Sequence, residues 1–514
     1  MNGAESLLRT LLAAGVEVCF TNPGTSEMQF VAALDRVEGM RSVLGLFEGV
    51  VSGAADGYGR MRGVPAATLL HLGPGMGNAL ANFHNARRAH TPIVNIIGEH
   101  ATWHRQLDAP LTSDIEGVSR PVSDWVRTCE DGTALAGDAA EAVAAATAPP
   151  GGIATLIMPA DLAWQDGPPP GDALPAAAPA PVDGDRIRAV ARALASGEPA
   201  AILVNGPVLR SRGLELASRI ANASGARLLT DTFVGRQERG AGRAVVGRLP
   251  YFAEEAREAL AGIRHLVLVN TREPVTFFAY PGVASRIAPD GCDIVSLAEP
   301  GEDGIGALEV LADELGAGAD RAELAPARQP GPPGGDLGAE TLALAIAAAL
   351  PENAIVSDES ATSGGALLPA TATAPPHDWL MLTGGSIGQG LPVATGAAIA
   401  CPDRKVLALQ ADGGGMYTLQ SLWTQAREGL DVTNVIFANR QYRILNIEFM
   451  RVGAGEPGPK ARDMLDIGRP DLDWVALAEG MGVTARRATT LEEFNRALAD
   501  FVPEPGPNLI ELVL

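Results

Sequence analysis

The chain has 514 residues and a formal net charge of −22, from 39 basic and 61 acidic side chains, with no long basic run; this excludes nucleic acid and anionic membrane surfaces as partners. Its length suggests about three domains, and a hydrophobic fraction of 46% is ample for several cores. Cys19, Cys129, Cys292 and Cys401 share no metal-ligand spacing and read as reduced thiols of a cytoplasmic protein; no secretion signal and no membrane span is recognisable.

In chain order, the first segment, 1–165, contains the apolar runs EVCFTNPG, ATLLHLGPG, IVNIIGEH and ATLIMPAD. A Pro- and Ala-rich stretch over 165–187 reads as a linker. The second segment, 186–325, contains AAILVNGP, ARLLTDT and HLVLVNT, and a Pro- and Gly-rich stretch over 325–338 follows it. The third, 338–514, contains NAIVSDES, KVLALQADG and TNVIFANR. Short strands that are apolar throughout, alternating with amphipathic helices, predict an α/β fold of three doubly wound parallel-sheet domains. Ligands in such sheets sit at the carboxyl ends of the strands.

The polar residues lie where that rule puts them. Glu48 follows the run VLGLF and opens a helix of small residues; a carboxylate there is costly to bury without a partner, though the helix N-terminus alone would favour one. The turn Asn22–Glu27 and the segment beginning His71-Leu72-Gly73 follow two other strands, so an acid, a histidine and a hydroxyl, Thr25, converge. In the third segment KVLALQ leads to Asp412-Gly413-Gly414-Gly415, MYTLQSLWTQAREGL reads as a helix, and TNVIFA ends at Asn439. One crossover separates Asp412 from Asn439, which places both at neighbouring strand ends. A carboxylate, an amide oxygen and a backbone carbonyl among Arg440–Tyr442 suit Mg²⁺, and the glycines let a phosphate approach a helix N-terminus. A second Gly-rich turn, GGSIGQGLP, offers the bulky Ile387.

In this order, Glu48 with AADGYGR, the Gly-Pro-Gly segment after His71, GGSIGQGLP and the Asp-Gly…Asn motif resemble the thiamine-diphosphate enzymes of the acetolactate synthase, pyruvate oxidase and benzoylformate decarboxylase type. The resemblance spans essentially the whole chain. It implies a pyrimidine-binding first domain, a middle domain and a diphosphate-binding third domain. Glu48 is then the acid at N1′ of the aminopyrimidine, the Gly385 carbonyl orients the 4′-amino group, and Ile387 is the aliphatic wedge that bends the cofactor. Asp412, Asn439 and the Gln441 carbonyl are the metal ligands, with Gly413, Gly414 and Thr362 also at the cofactor. The implied reaction is attack on a 2-oxo acid, loss of CO₂, and protonation of the resulting enamine or its transfer to an aldehyde or ketone acceptor. A homodimer or homotetramer with sites shared between subunits is implied too.

Some positions depart from each relative. Ala411 replaces the usual glycine of the metal motif, and Ala438-Asn439 the usual Asn pair. Thr25 and His71 match a serine and the first catalytic histidine of benzoylformate decarboxylase, whereas Phe277 or Phe278 stands where its second histidine is expected. The acetolactate synthase Gln-Trp motif is replaced by a segment in which Ile444 and Glu448 share one helical face; Glu448 steers or excludes charged substrates or is a solvated helix acid. FAD is not expected, because the middle segment lacks the Gly- and Arg-rich stretches of the oxidase branch. The leading expectation is a decarboxylase or carboligase. The competitors are an FAD-containing relative or true acetolactate synthase, an acyl-CoA lyase, and a non-catalytic cofactor-binding paralogue, against which the retained Glu48 argues.

Overall fold

The computed structural model describes residues 1–514 and contains three sheets with helices packed against them. The first comprises β1 (Val18–Thr21), β2 (Arg41–Leu44), β3 (Ala66–His71), β4 (Ile93–Glu99), β5 (Trp125–Thr128) and β6 (Ile153–Pro159), all parallel, in the order β2-β1-β3-β4-β6-β5. Every residue of β4 and β6 is buried, as expected of strands covered on both faces.

Six strands follow in the middle of the chain: β7 (Ala200–Val204), β8 (Arg227–Thr230), β9 (Gln237–Arg239), β10 (Gly247–Arg248), β11 (His265–Val269) and β12 (Asp293–Ala298). All but β9 form the second sheet, ordered β10-β8-β7-β11-β12. The third sheet contains β13 (Ile355–Glu359), β14 (His377–Met381), β15 (Val406–Ala411), β16 (Val432–Ala438), β17 (Thr484–Ala488) and β18 (Asn508–Val513), in the parallel order β17-β18-β16-β15-β13-β14. β9 completes its β14 edge in antiparallel register, Arg239 opposite His377. A strand from the middle segment thus covers an edge that would otherwise present unpaired backbone.

Two details differ from the sequence reading. The strand before Glu48 ends at Leu44, and the chain bends at Leu46 and Phe47 before the helix begins. The segment after Asp412 is one short turn, Asp412–Gly415, and the helix proper begins only at Ser421. The strands without an apolar run, such as β2 with its exposed Arg41 and Ser42, escape periodicity because they are short and half-solvated.

One core joins the first and third sheets. Val51, Ala54 and Leu70 pack in the same cluster as Leu391, Val393 and Ile436. At its centre the helix Glu48–Arg62 crosses the helix Gly390–Ala400 with backbone almost touching backbone. A Cβ on Gly57 would stand 2.0 Å from Val393 O, and one on Gly396 1.8 Å from Ala54 O. Only glycine permits this approach. Beside the crossing lies a buried ion pair, Arg60 Nη2 to Asp56 Oδ2 at 2.5 Å. Arg60 also donates to Met381 O at 2.7 Å, and to Thr383 Oγ1 and Gln389 Oε1, both at 3.1 Å; Thr91 Oγ1 donates to Asp56 at 2.5 Å.

His377, 4% exposed, donates from Nδ1 to Pro375 O at 2.7 Å and keeps Nε2 buried without a partner. Burial lowers its pKa from 6.5 to about 4, so the folded protein holds the ring neutral where the unfolded chain takes up a proton. Stability should therefore fall as pH drops through that window, by up to roughly 3 kcal/mol from this residue. Thermal midpoints measured from neutral pH downward should show it, with a flatter slope in His377→Asn.

Candidate active site

Glu48 is half-buried at the start of its helix. Its Oε2 accepts from Asn78 Nδ2 at 2.9 Å. The helix Leu72–Arg88 that carries Asn78 also reaches the third domain. Asn82 Nδ2 donates to Gly49 O at 2.8 Å and to Gly388 O at 3.3 Å. Asn85 Nδ2 donates to Ser386 O at 2.7 Å, and its Oδ1 accepts from Ser386 N at 3.1 Å. The Gly384–Gly388 turn is thereby stitched beside the start of the Glu48 helix within one chain. Gly385 and Gly388 have φ of +73° and +95°, left-handed positions that favour glycine. Gly385 is exposed and Ile387 half-buried. Under the turn, Glu359 accepts from Gly388 N at 2.7 Å and Gly390 N at 2.6 Å; complete burial raises its carboxyl pKa, and those N–H groups pull it back. Sequence reasoning missed Glu359 and the asparagines. The spacing of Asn78, Asn82 and Asn85, four and three apart on one helix face, was the available signal.

At the other end of the site β15 and β16 run in register, Ala411 opposite Phe437, and bring Asp412 and Asn439 out side by side. Asp412, 2% exposed, accepts at Oδ2 from Arg440 N at 2.7 Å and at Oδ1 from Gly413 N at 2.9 Å. Burial raises its carboxyl pKa, and the two N–H groups only partly offset that. Arg440 takes a left-handed φ of +58°, and Asn439 Oδ1 accepts from Gln441 N at 3.1 Å. On the side where a side chain would stand, the three glycines are packed against protein. A Cβ on Gly413 would stand 2.6 Å from the Tyr442 ring, on Gly414 2.3 Å from Glu359 Oε1, and on Gly415 2.7 Å from Trp474. Thr362 lies in the turn Ala361–Ser363, which packs against β15 and the helix Arg443–Arg451.

No group of three or more His, Cys, Asp or Glu side chains could hold a metal. The Asp412 set offers one buried carboxylate with neutral oxygens, a donor set that fits a hard cation sharing its charge with phosphate. Asn439 and Gln441 line a cavity of about 1270 Å³ that also carries Arg443, Lys460 and Arg462, side chains suited to an anionic ligand.

At the end of β3, His71 Nδ1 lies 2.9 Å from Glu27 Oε2. Glu27 is fully buried, its Oε2 also accepts from Gly24 N at 2.7 Å, and its Oε1 has no partner. Burial raises its pKa, while the Gly24 N–H and His71 lower it. Two glycines make room for the pair: a Cβ on Gly24 would stand 2.3 Å from the His71 ring, and on Gly98 1.7 Å from Glu27 Oε1. Thr25 lies exposed beside it. The sequence reading singled out His71 and Thr25 but not Glu27 as their buried partner. Glu27→Gln is expected to lower turnover by about 10²-fold by releasing the imidazole, with cofactor affinity unchanged; comparing kcat with the cofactor dissociation constant tests it.

Phe277, 42% exposed, packs on Tyr251 and Phe233 with ring centroids 4.9 and 5.4 Å apart. Tyr280 Oη donates to Glu448 Oε2 at 2.9 Å, while Glu448 Oε1 is buried without a partner. Arg451 lies over the Phe252 and Tyr280 rings, at 4.4 and 5.2 Å, and pairs with Glu254. Glu448 is therefore not a freely solvated helix acid: it faces the aromatic cluster of the middle segment, and Ile444 is half-buried on the same helix.

Comparison with known proteins agrees with this geometry. The family model for the N-terminal TPP binding domain of thiamine pyrophosphate enzymes matches residues 1–119, and that for the C-terminal TPP binding domain matches 364–512. A Mycobacterium tuberculosis protein named as a candidate acetolactate synthase large subunit, IlvX, is 56% identical over 516 residues, covering 100% of this chain and 99% of its own. Benzoylformate decarboxylase of Pseudomonas aeruginosa is 28% identical, covering 97% of this chain and 96% of its own. A solved structure of the thiamine diphosphate-dependent 4-hydroxybenzoylformate decarboxylase of Rhodococcus jostii RHA1 matches with a TM-score of 0.84 at 25% identity, covering 99% of this chain and 98% of that one. No helix is long and apolar enough to cross a membrane.

Proposed function

The chain belongs to the thiamine pyrophosphate enzymes, and from that premise we propose that it is a thiamine-diphosphate- and Mg²⁺-dependent decarboxylase or carboligase of 2-oxo acids. The observation that carries the reading is the pair Asp412 and Asn439 held at adjoining strand ends, in a chain that also presents Glu48 at the N-terminus of a helix of small residues and the left-handed Gly385–Gly388 turn. When bound, the cofactor supplies the electron sink for the bond broken beside the donor carbonyl. Asp412, Asn439 and the Gln441 carbonyl would hold Mg²⁺, with Thr362, Gly413 and Gly414 toward the diphosphate. Glu48 would hold a proton at the pyrimidine N1′, the Gly385 carbonyl would orient its amino group, and Ile387 would wedge the two rings together. The active unit is a dimer or tetramer in which subunits share sites.

One feature bears on what happens after CO₂ leaves. The Glu27–His71 pair is a positioned proton carrier, which favours protonation of the donor carbon over its transfer to an acceptor. The deciding experiment incubates the protein with thiamine diphosphate, Mg²⁺ and a panel of 2-oxo acids, with and without aldehyde acceptors, and follows CO₂ and products. A protein that binds the cofactor and turns over no donor would sink the reading.

A further inference from the structure

β13 ends in a carboxylate that the assignments above leave without a task. Glu359, 3% exposed, accepts at Oε1 from Gly388 N at 2.7 Å and at Oε2 from Gly390 N at 2.6 Å. The first N–H belongs to the turn that presents Gly385 and Ile387. The second opens the helix Gly390–Ala400, whose crossing with the Glu48 helix leaves no room for a Cβ at Gly57 or Gly396. On its other side Glu359 meets the metal end of the site. β13 and β15 are parallel neighbours with Glu359 opposite Gln410, two residues before Asp412. A Cβ on Gly414 would stand 2.3 Å from Glu359 Oε1 and 2.8 Å from Gln410 Nε2, and one on Gly390 2.3 Å from Gln410 Oε1. The two side chains are therefore packed between Gly390 and Gly414. The oxygen that holds Gly388 N is also the one that Gly414 lies against.

A helix N-terminus needs no ionised side chain of this kind, since a neutral serine or asparagine caps it as well. Burying a carboxylate without a cation is costly. Here the groups that oppose the effect of burial are all uncharged: the Gly388, Gly390 and Gln389 N–H groups and the Gln410 amide. What the carboxylate offers beyond a neutral cap is two acceptor oxygens at a fixed separation, each on a different N–H. We propose that Glu359 is a positioning residue that couples the two ends of the cofactor site: by holding Gly388 N and Gly390 N while packed against Gly414, it sets the spacing between the Gly384–Gly388 turn and the Asp412–Gly415 turn. The proposal rests on the thiamine-diphosphate reading above. Glu359 acts through backbone at both ends, and a cofactor gripped by both turns is aligned only when their spacing is right. In Glu359→Gln one oxygen becomes an NH₂ group that meets an N–H donor, so that bond is lost and the turn withdraws.

The test compares wild type with Glu359→Gln and uses no substrate. It reads thermal melting of the cofactor-free protein, Mg²⁺ affinity at saturating thiamine diphosphate by tryptophan fluorescence, and hydrogen–deuterium exchange at C2 of the bound cofactor by NMR after acid quench. The expected result is a folded variant with Mg²⁺ affinity about 10-fold weaker and C2 exchange about 10²-fold slower, the cost of a misplacement of about 1 Å. A merely structural role would lower the melting temperature and leave the other two readouts of the folded protein unmoved. A folded variant in which either Mg²⁺ affinity or C2 exchange stays at the wild-type value would overturn the proposal and leave the parent reading intact. Wild-type protein that binds no thiamine diphosphate in the presence of Mg²⁺ would overturn the parent reading and the proposal with it. If Glu359→Gln fails to fold, Gly414→Ala takes its place, crowding Glu359 Oε1 from the metal side. C2 exchange slowed by about 10-fold at the far end of the cofactor then supports the coupling, and unchanged exchange overturns it.

Discussion

Glu48→Gln is expected to bind thiamine diphosphate and Mg²⁺ almost as wild type does, and to turn over 2-oxo acids at least about 10²-fold more slowly. Glutamine keeps the length of the side chain, and its amide oxygen still accepts from Asn78, the polar contact that Glu48 makes. What it loses is the negative charge that would hold a proton on the pyrimidine ring. Structure and binding should therefore survive while activation fails. Cofactor affinity, read from quenching of intrinsic tryptophan fluorescence, is to be compared with kcat for whichever donor the panel selects. A fully active variant would mean that the activating acid lies elsewhere.

Arg60→Met should show the largest loss of stability in the chain, about 3–5 kcal/mol. The guanidinium is 2% exposed and the Asp56 side chain fully buried, so the substitution leaves an unpaired charge in the interior, strips Gln389 Oε1 of its donor and removes one of the bonds made by Met381 O and Thr383 Oγ1. Asp56→Asn combined with Arg60→Met should be less damaging than Arg60→Met alone, because both charges are then gone, and the double-mutant cycle measures that coupling. Cofactor affinity should weaken as well, since Thr383 and Gln389 bracket the turn that presents Gly385 and Ile387. A loss below roughly 1 kcal/mol, measured by denaturant titration of the first unfolding transition, would refute the view that this pair locks the two domains together.

Much of this architecture is legible in the sequence, for a specific reason. Strands covered on both faces are apolar throughout, so β3, β4, β6, β15 and β16 announce themselves, and Glu48, His71, Asp412 and Asn439 stand at or just beyond strand ends, where a parallel sheet exposes its chemistry. What is not legible depends on direction rather than period. Glu27 faces inward only because Gly24 and Gly98 leave room for it. β9 lies in the middle segment but pairs with β14, a choice made by an open edge far away in the chain. The glycines after Asp412 do not reveal that Tyr442, Glu359 and Trp474 pack where their side chains would stand. Glu448 could be either solvated or engaged until Tyr280, in a different sheet's territory, was seen to donate to it.

The glycine crossing between Glu48–Arg62 and Gly390–Ala400 also sets a timetable for biosynthesis. The first helix leaves the ribosome early and the second only after most of the chain has been made. At ordinary elongation rates that interval is on the order of tens of seconds. Throughout it Gly53, Ala54, Gly57 and Tyr58 lack the surface that buries them in the finished protein. The nascent first sheet is thus a client for chaperones until its distant partner arrives, and a transcript truncated before Gly390 would yield a product that never escapes that state.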